Sequence, residues 1–126
     1  MVKIFEPPIQ YKGVLYQKSI DFAIRIVKLF KYLVQKDRTF EALYIQLVKA
    51  GTSIGANISE AQSASSKKDF SNKLLIALKE GRETEYWLKV FYKTEIITQQ
   101  EYDSLIKDCD ELETLLTSSI KTSKGI

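Results

Sequence analysis

The chain has 126 residues, of which 44% are hydrophobic and 28% charged, with one cysteine and a net charge of +3 at pH 7. These figures fit a single globular domain and exclude a disordered chain, an intrachain disulfide scaffold and a polycation that would recruit nucleic acid by charge alone. Histidine is absent, which removes Ser-His nucleophiles, histidine acid–base chemistry and the usual zinc sites.

Residues 1–18 read as an irregular lead-in. They carry Pro7 and Pro8 and no long apolar run, so neither a signal peptide nor a membrane span is expected. The lone Cys109 suits a reducing, cytoplasmic setting. Ser19 reads as the N-cap of a first helix, with Asp21 in its first turn. On that helix Asp21, Arg25, Lys28, Tyr32 and Gln35 share a polar face. Phe22, Ala23, Ile26, Val27, Leu29, Phe30, Leu33 and Val34 cover an apolar arc of roughly 220°, about twice the stripe a bundle helix needs.

A second helix is expected from near Thr39. Leu43, Leu47, Ala50, Ile54, Ile58 and Ala61 recur along it at core spacing. Gly51 and Gly55 lie together beside that stripe. A mid-helix glycine costs ~1 kcal/mol relative to alanine, so the pair marks a tight helix crossing. Lys49, Ser53, Asn57 and Glu60 line a third side. Short, weak helix formers such as Ser53 and Asn57 predict a partly buried polar row at a helix contact rather than a solvated face.

After the polar linker QSASSKK, Ser66 and Asp69 have capping-box spacing, and Phe70, Leu74, Ala77, Gly81, Thr84, Leu88 and Phe91 form the stripe of a third helix. Lys79, Arg82, Glu83, Glu85, Tyr86 and Trp87 gather charge and aromatic surface on it, a composition favoured at interfaces. Thr98 and Glu101 form a full capping box for a fourth helix that buries Tyr102, Leu105, Ile106, Cys109, Leu112, Leu116 and Ile120. The expected fold is all-α, an antiparallel up-and-down four-helix bundle over 19–122, with 123–126 a frayed C-terminus.

The segments KSIDFAIRIVKLFKYL, QLVKAGTSIGANISEA, SKKDFSNKLLIALKEGRETEYWLK and DCDELETLLTSSIKTSK closely resemble a bacterial four-helix-bundle family. Its members include proteins encoded by intervening sequences within large-subunit ribosomal RNA genes. The resemblance implies a ring-like homopentamer without established enzymatic activity. A more distant likeness is to the accessory protein of diversity-generating retroelements, a basic pentameric barrel that binds nucleic acid and a reverse transcriptase. Three positions depart from the family pattern: Lys49 stands where Arg is usual, Ser59 where an acid is common, and Gly81 where Ala is usual. Lysine lacks the bidentate fork of arginine, so an ion pair from position 49 to Glu60, Glu83 or Glu85 should be looser here.

Among function classes, a di-metal carboxylate bundle needs Glu-x-x-His pairs and is excluded. Glu60, Glu83 and Glu85 are better read as partners of Lys49, Lys79 and Arg82 than as an acid–base pair. No catalytic residue, metal or cofactor is therefore assigned. A non-catalytic homo-oligomeric scaffold or adaptor is the preferred reading. The alternative is an accessory protein that binds RNA or DNA, or a nucleic-acid-processing partner, through Arg25, Lys28, Lys31, Lys67, Lys68 and Lys73.

Overall fold

The computed structural model describes Phe5 and residues 11–124. Tyr11–Leu15 is a π-helical turn that runs into α1, Tyr16–Lys36, followed by α2, Glu41–Ala61, α3, Lys67–Lys93, and α4, Gln99–Ser123. The described residues contain no strand, and no described helix is long and apolar enough to cross a membrane.

The start of α1 corrects the sequence reading. Residues 11–18 are helical rather than irregular, and Ser19 is not a cap but lies fully buried inside α1. Its hydroxyl donates to the Tyr16 carbonyl at 2.6 Å, which satisfies it within its own helix. Leu15, in the supposed lead-in, belongs to the core, and Phe5 meets Phe70 edge-on at 5.5 Å. The remaining lead-in positions, 1–4 and 6–10, lie outside the described residues.

The other helix starts follow local chemistry. Asp37 Oδ1 accepts the backbone N–H of Thr39 at 2.9 Å and its hydroxyl at 2.6 Å, an Asx turn that moves the start of α2 past Thr39 to Glu41. Those two bonds hold the Asp37 carboxyl below the ordinary range. Ser66 Oγ accepts from Asp69 N at 3.0 Å, and Asp69 in turn accepts from Ser65 N at 3.3 Å. Aspartate thus reaches Ser65 rather than the N-cap residue itself. Thr98 and Glu101 close the complete box, at 3.1 Å and 2.8 Å. Between α3 and α4 the chain turns through Glu95 in the left-handed region, φ 64°.

The helices pair in opposite senses. Ile26 and Ser19 of α1 meet Gly51 and Gly55 of α2. Tyr44 and Glu60 of α2 meet Phe91 and Lys73 of α3. Ser71 and Arg82 of α3 meet Ser123 and Glu113 of α4. These contacts are consistent with an antiparallel up-and-down bundle. Phe70, Leu74, Ala77, Gly81, Thr84, Leu88 and Phe91 are all buried, as the spacing on α3 predicts. Leu47, Ala50, Ile54, Ile58 and Ala61 of α2 and Leu105, Cys109, Leu112, Leu116 and Ile120 of α4 complete the same core. Each fully buried large aliphatic side chain contributes about 1.5–3 kcal/mol.

The α1–α4 seam has a different character. Arg25 Nη1 pairs with Asp108 Oδ2 at 2.6 Å while its Nη2 donates to Ser104 Oγ at 2.7 Å, and Lys18 meets Glu111 at 2.6 Å. All four charged side chains are roughly 40–50% exposed, so water weakens both pairs.

A Cβ built on Gly51 would lie 3.0 Å from Ile26 Cγ1, and one on Gly55 would lie 3.1 Å from Ser19 Oγ. Gly51→Leu should therefore destabilise the fold by about 1–3 kcal/mol or more, with Gly51→Ala costing less because Ile26 has only to shift slightly. Denaturant melts of the two variants check this. Thr98→Ala should cost about 1 kcal/mol through loss of the α4 cap, read in the same melts.

Candidate functional site

Two surface features stand out, one apolar and one polar. The apolar groove lies between α1 and α2 and has a volume of about 550 Å³. Ile20, Ile24 and Val27 form its α1 wall, and Thr52, Gly55 and Ala56 its α2 wall. Ile24 is 47% exposed and Val27 41%. The groove exists because small residues on α2 leave its backbone low beside a branched α1 flank. Lys28 and Lys31 rim it.

The polar groove lies between α3 and α4 and measures about 580 Å³. Arg82 and Glu85 line it from α3, and Asp110, Glu113, Thr117 and Lys121 from α4. At its base Glu113 is only 8% exposed. A Cβ on residue 81 would sit 3.1 Å from Glu113 Cγ, so Gly81 provides the space in which the Glu113 side chain lies. Arg82 Nε is 3.4 Å from Glu113 Oε1, and the Arg82 side chain is otherwise largely in water. The Cys109 thiol lies 3.4 Å from the Gly81 carbonyl and 3.5 Å from Glu113 Oε2 and donates into that space. Oxygens of Glu85 and Glu113 and the Cys109 sulfur all lie within 4.8 Å of one another.

Burial raises the Glu113 carboxyl to about 7, helped by a hydrogen bond and charge repulsion from Glu85 and opposed by Cys109 and Arg82. Burial, and then the adjacent Glu113 charge, push the Cys109 thiol far up, so it stays protonated. A buried protonated thiol is a poor nucleophile. A carboxyl that titrates near neutrality has the range of a general acid or base, but no activated nucleophile stands beside it. A cation entering here would have to displace both the thiol proton and the Arg82 guanidinium. The protonated thiol and the Arg82 guanidinium make the cluster poorly suited to a cation, and burial favours the protonated form of Glu113.

The remaining predicted residues are dispersed. In the α2 row, Asn57 Nδ2 donates to the Ser53 carbonyl at 2.8 Å, both residues being half-buried, while Lys49 and Glu60 are exposed. Glu60 faces Lys73 of α3 at 3.7 Å. Apart from that side-chain-to-backbone bond within α2, no side-chain-to-side-chain hydrogen bond joins members of the row among the described residues. On α3, Lys79, Arg82, Glu83 and Tyr86 are exposed, but the group divides. Arg82 and Glu85 turn to α4, whereas Trp87 is half-buried against the core, 6.3 Å from Phe91 and edge-on to Tyr86 at 5.1 Å. Of the basic residues, Arg25 is committed to Asp108 and Lys73 faces Glu60, while Lys28, Lys31, Lys67 and Lys68 are exposed.

Sequence reasoning gives Glu113 no role. The signal was its spacing: it falls four residues after Cys109 and three before Leu116, on the buried side.

A family model described as 23S rRNA-intervening sequence protein matches residues 12–118. The chain belongs to that family. Among solved structures, this family member is similar to a protein of unknown function from the S23 ribosomal protein family of Bacteroides thetaiotaomicron. That likeness has 50% identity and a TM-score of 0.82, and covers 88% of this chain and 98% of the other. No curated protein matches the chain. The family likeness therefore carries a fold and no assigned activity.

The protonated, enclosed thiol has a direct readout. Cys109 should resist a water-soluble thiol reagent in the native protein and react at an ordinary rate in denaturant, with labelling that tracks unfolding. Fast native labelling would contradict the described packing.

Proposed function

We propose that this protein is a non-catalytic, homo-oligomeric helical-bundle scaffold or adaptor. The observation that carries the reading is the apolar groove between α1 and α2. Ile24 and Val27 stand in water beside Ile20, where a monomer would place polar residues. The described lead-in residues do not cover them: Phe5 goes instead to Phe70.

A second copy of the chain is the occupant. Lys28 and Lys31 rim the groove, and exposed Asp103 and Asp110 on α4 supply opposite charge on another face of the protomer. Exposed Leu75 and Ile76 on α3 add apolar surface away from the groove. Unlike faces that meet head to tail close into rings. The number five comes from the family resemblance. The alternative, nucleic-acid binding, rests on the exposed Lys28, Lys31, Lys67 and Lys68 alone, two on α1 and two at the α2–α3 corner.

Light scattering coupled to size exclusion tests the proposal on the full chain. The expected mass is that of five 14.5 kDa protomers, and Val27→Glu should shift it toward monomer while helix content is kept. A full-length monomer at micromolar concentration overturns the proposal. Filter binding of structured RNA at two salt concentrations separates the alternative: tight binding with a steep salt slope favours it.

A further inference from the structure

The groove between α3 and α4 has a chemistry that the scaffold reading does not use. Its base holds two carboxyl groups from different helices, Glu85 and Glu113, with Glu113 almost wholly removed from water. Two carboxylates at this separation repel strongly when both are charged. With one proton between them they instead attract through a charge-assisted hydrogen bond. We propose that Glu85 and Glu113 form a single-proton lock across the α3–α4 seam, closed while the pair holds one proton and loosened when that proton leaves.

The surroundings favour this role. Gly81 gives Glu113 space to reach the seam, and any larger residue there would press on its Cγ. Cys109 donates to Glu113 from within α4 and cannot supply a compensating positive charge. Arg82 is the one cation paired with Glu113 among the described residues, at 3.4 Å with its side chain 66% exposed. It is placed to swing inward when the pair becomes doubly negative. Asp110 adds negative charge to the groove, and Lys121 lies further along it. On the other flank of α4, Asp108 and Glu111 are already neutralised by Arg25 and Lys18 of α1, so they offer the pair little field of their own. Opening the lock releases one proton to solvent and changes the groove charge by one unit.

The absence of histidine makes this lock legible. Ordinary carboxyls titrate near pH 4 and lysines above pH 10, so apart from an α-amino group no unperturbed group in such a chain titrates between about pH 5 and 8. The sign follows from the raised Glu113 value, about 7. Between an ordinary carboxyl value of about 4.3 and that of the folded protein, the folded state holds more protons than the unfolded state. Stability is therefore greatest at the acidic side of this window, falls as the pH rises through it, and levels off above about 7.

The test is a thermal melt series from pH 5 to 8 on the full chain, at fixed protein concentration and salt, with a chelator present. The wild type should lose on the order of 5 °C across the window. Glu113→Gln keeps the shape and a donor toward Glu85, so it should retain the acidic-side melting temperature and show a flat profile. Arg82→Gln removes the competing cation and should shift the midpoint upward in pH. A Glu113→Gln profile as steep as wild type overturns the lock, as does a wild-type slope that appears only when divalent metal replaces the chelator. Should Glu113→Gln not fold, carbon-13 NMR titration of the glutamate carboxyls in the wild type and in Glu85→Gln decides. A Glu113 inflection near neutrality that moves to lower pH in Glu85→Gln supports the lock, and a Glu113 inflection below pH 5.5, or one that Glu85→Gln leaves unmoved, refutes it.

Discussion

The close approach of α1 to α2 is the constraint on which the rest of the bundle rests. Ile26 and Ser19 lie against bare backbone at Gly51 and Gly55. Glycine here is not needed for an unusual φ; it is needed because a methyl group would already press on the opposite helix. The helix-propensity cost of ~1 kcal/mol per glycine is offset by dispersion contacts that a wider spacing would forfeit. That spacing brings Phe22 and Ile26 into the core. It also lowers the wall of the groove in which Ile24 and Val27 stand exposed, so one packing decision produces both the interior and the surface offered to a partner.

Most of the architecture was legible because each helix carries its signals locally. The α3 stripe from Phe70 to Phe91 repeats without interruption, and the Thr98–Glu101 box announces α4 in four letters. The first helix was placed too late because serine has two uses. At an N-cap its hydroxyl satisfies a free backbone N–H, whereas inside a crossing it is small and bonds its own helix. The letter alone does not distinguish them, and only the facing Gly55 does. Thr39 misled for a related reason: Asp37, two residues earlier, captured its N–H first.

The candidate sites were less legible, since they depend on which helix faces which. Arg25 was counted as free positive charge, but Asp108 lies 83 residues away in sequence and 2.6 Å away in space. Trp87 was read as surface because it lies off the α3 stripe, yet the core there is wide enough to take it as well. Glu113 is one of several acids on α4, and nothing in its own letter marks it as buried. Its burial depends on Gly81, and glycine at that position signals nothing until α4 is laid across it.

The half-exposed ion pairs that close α1 onto α4 bear on how the chain folds. The α1–α2, α2–α3 and α3–α4 pairs join neighbours in sequence through apolar contact and short connections, so their loop-closure entropy is small. The first and last helices must meet across the whole chain, and the ion pairs Lys18–Glu111 and Arg25–Asp108 join them. Contacts with so little to gain from early desolvation are expected to form after the rate-limiting step, and would then bear on how quickly the native state opens rather than on how quickly it is reached. The seam between the ends of the chain should then be the first to breathe, and added salt, by screening it, would shorten the life of the closed bundle while leaving its formation almost untouched.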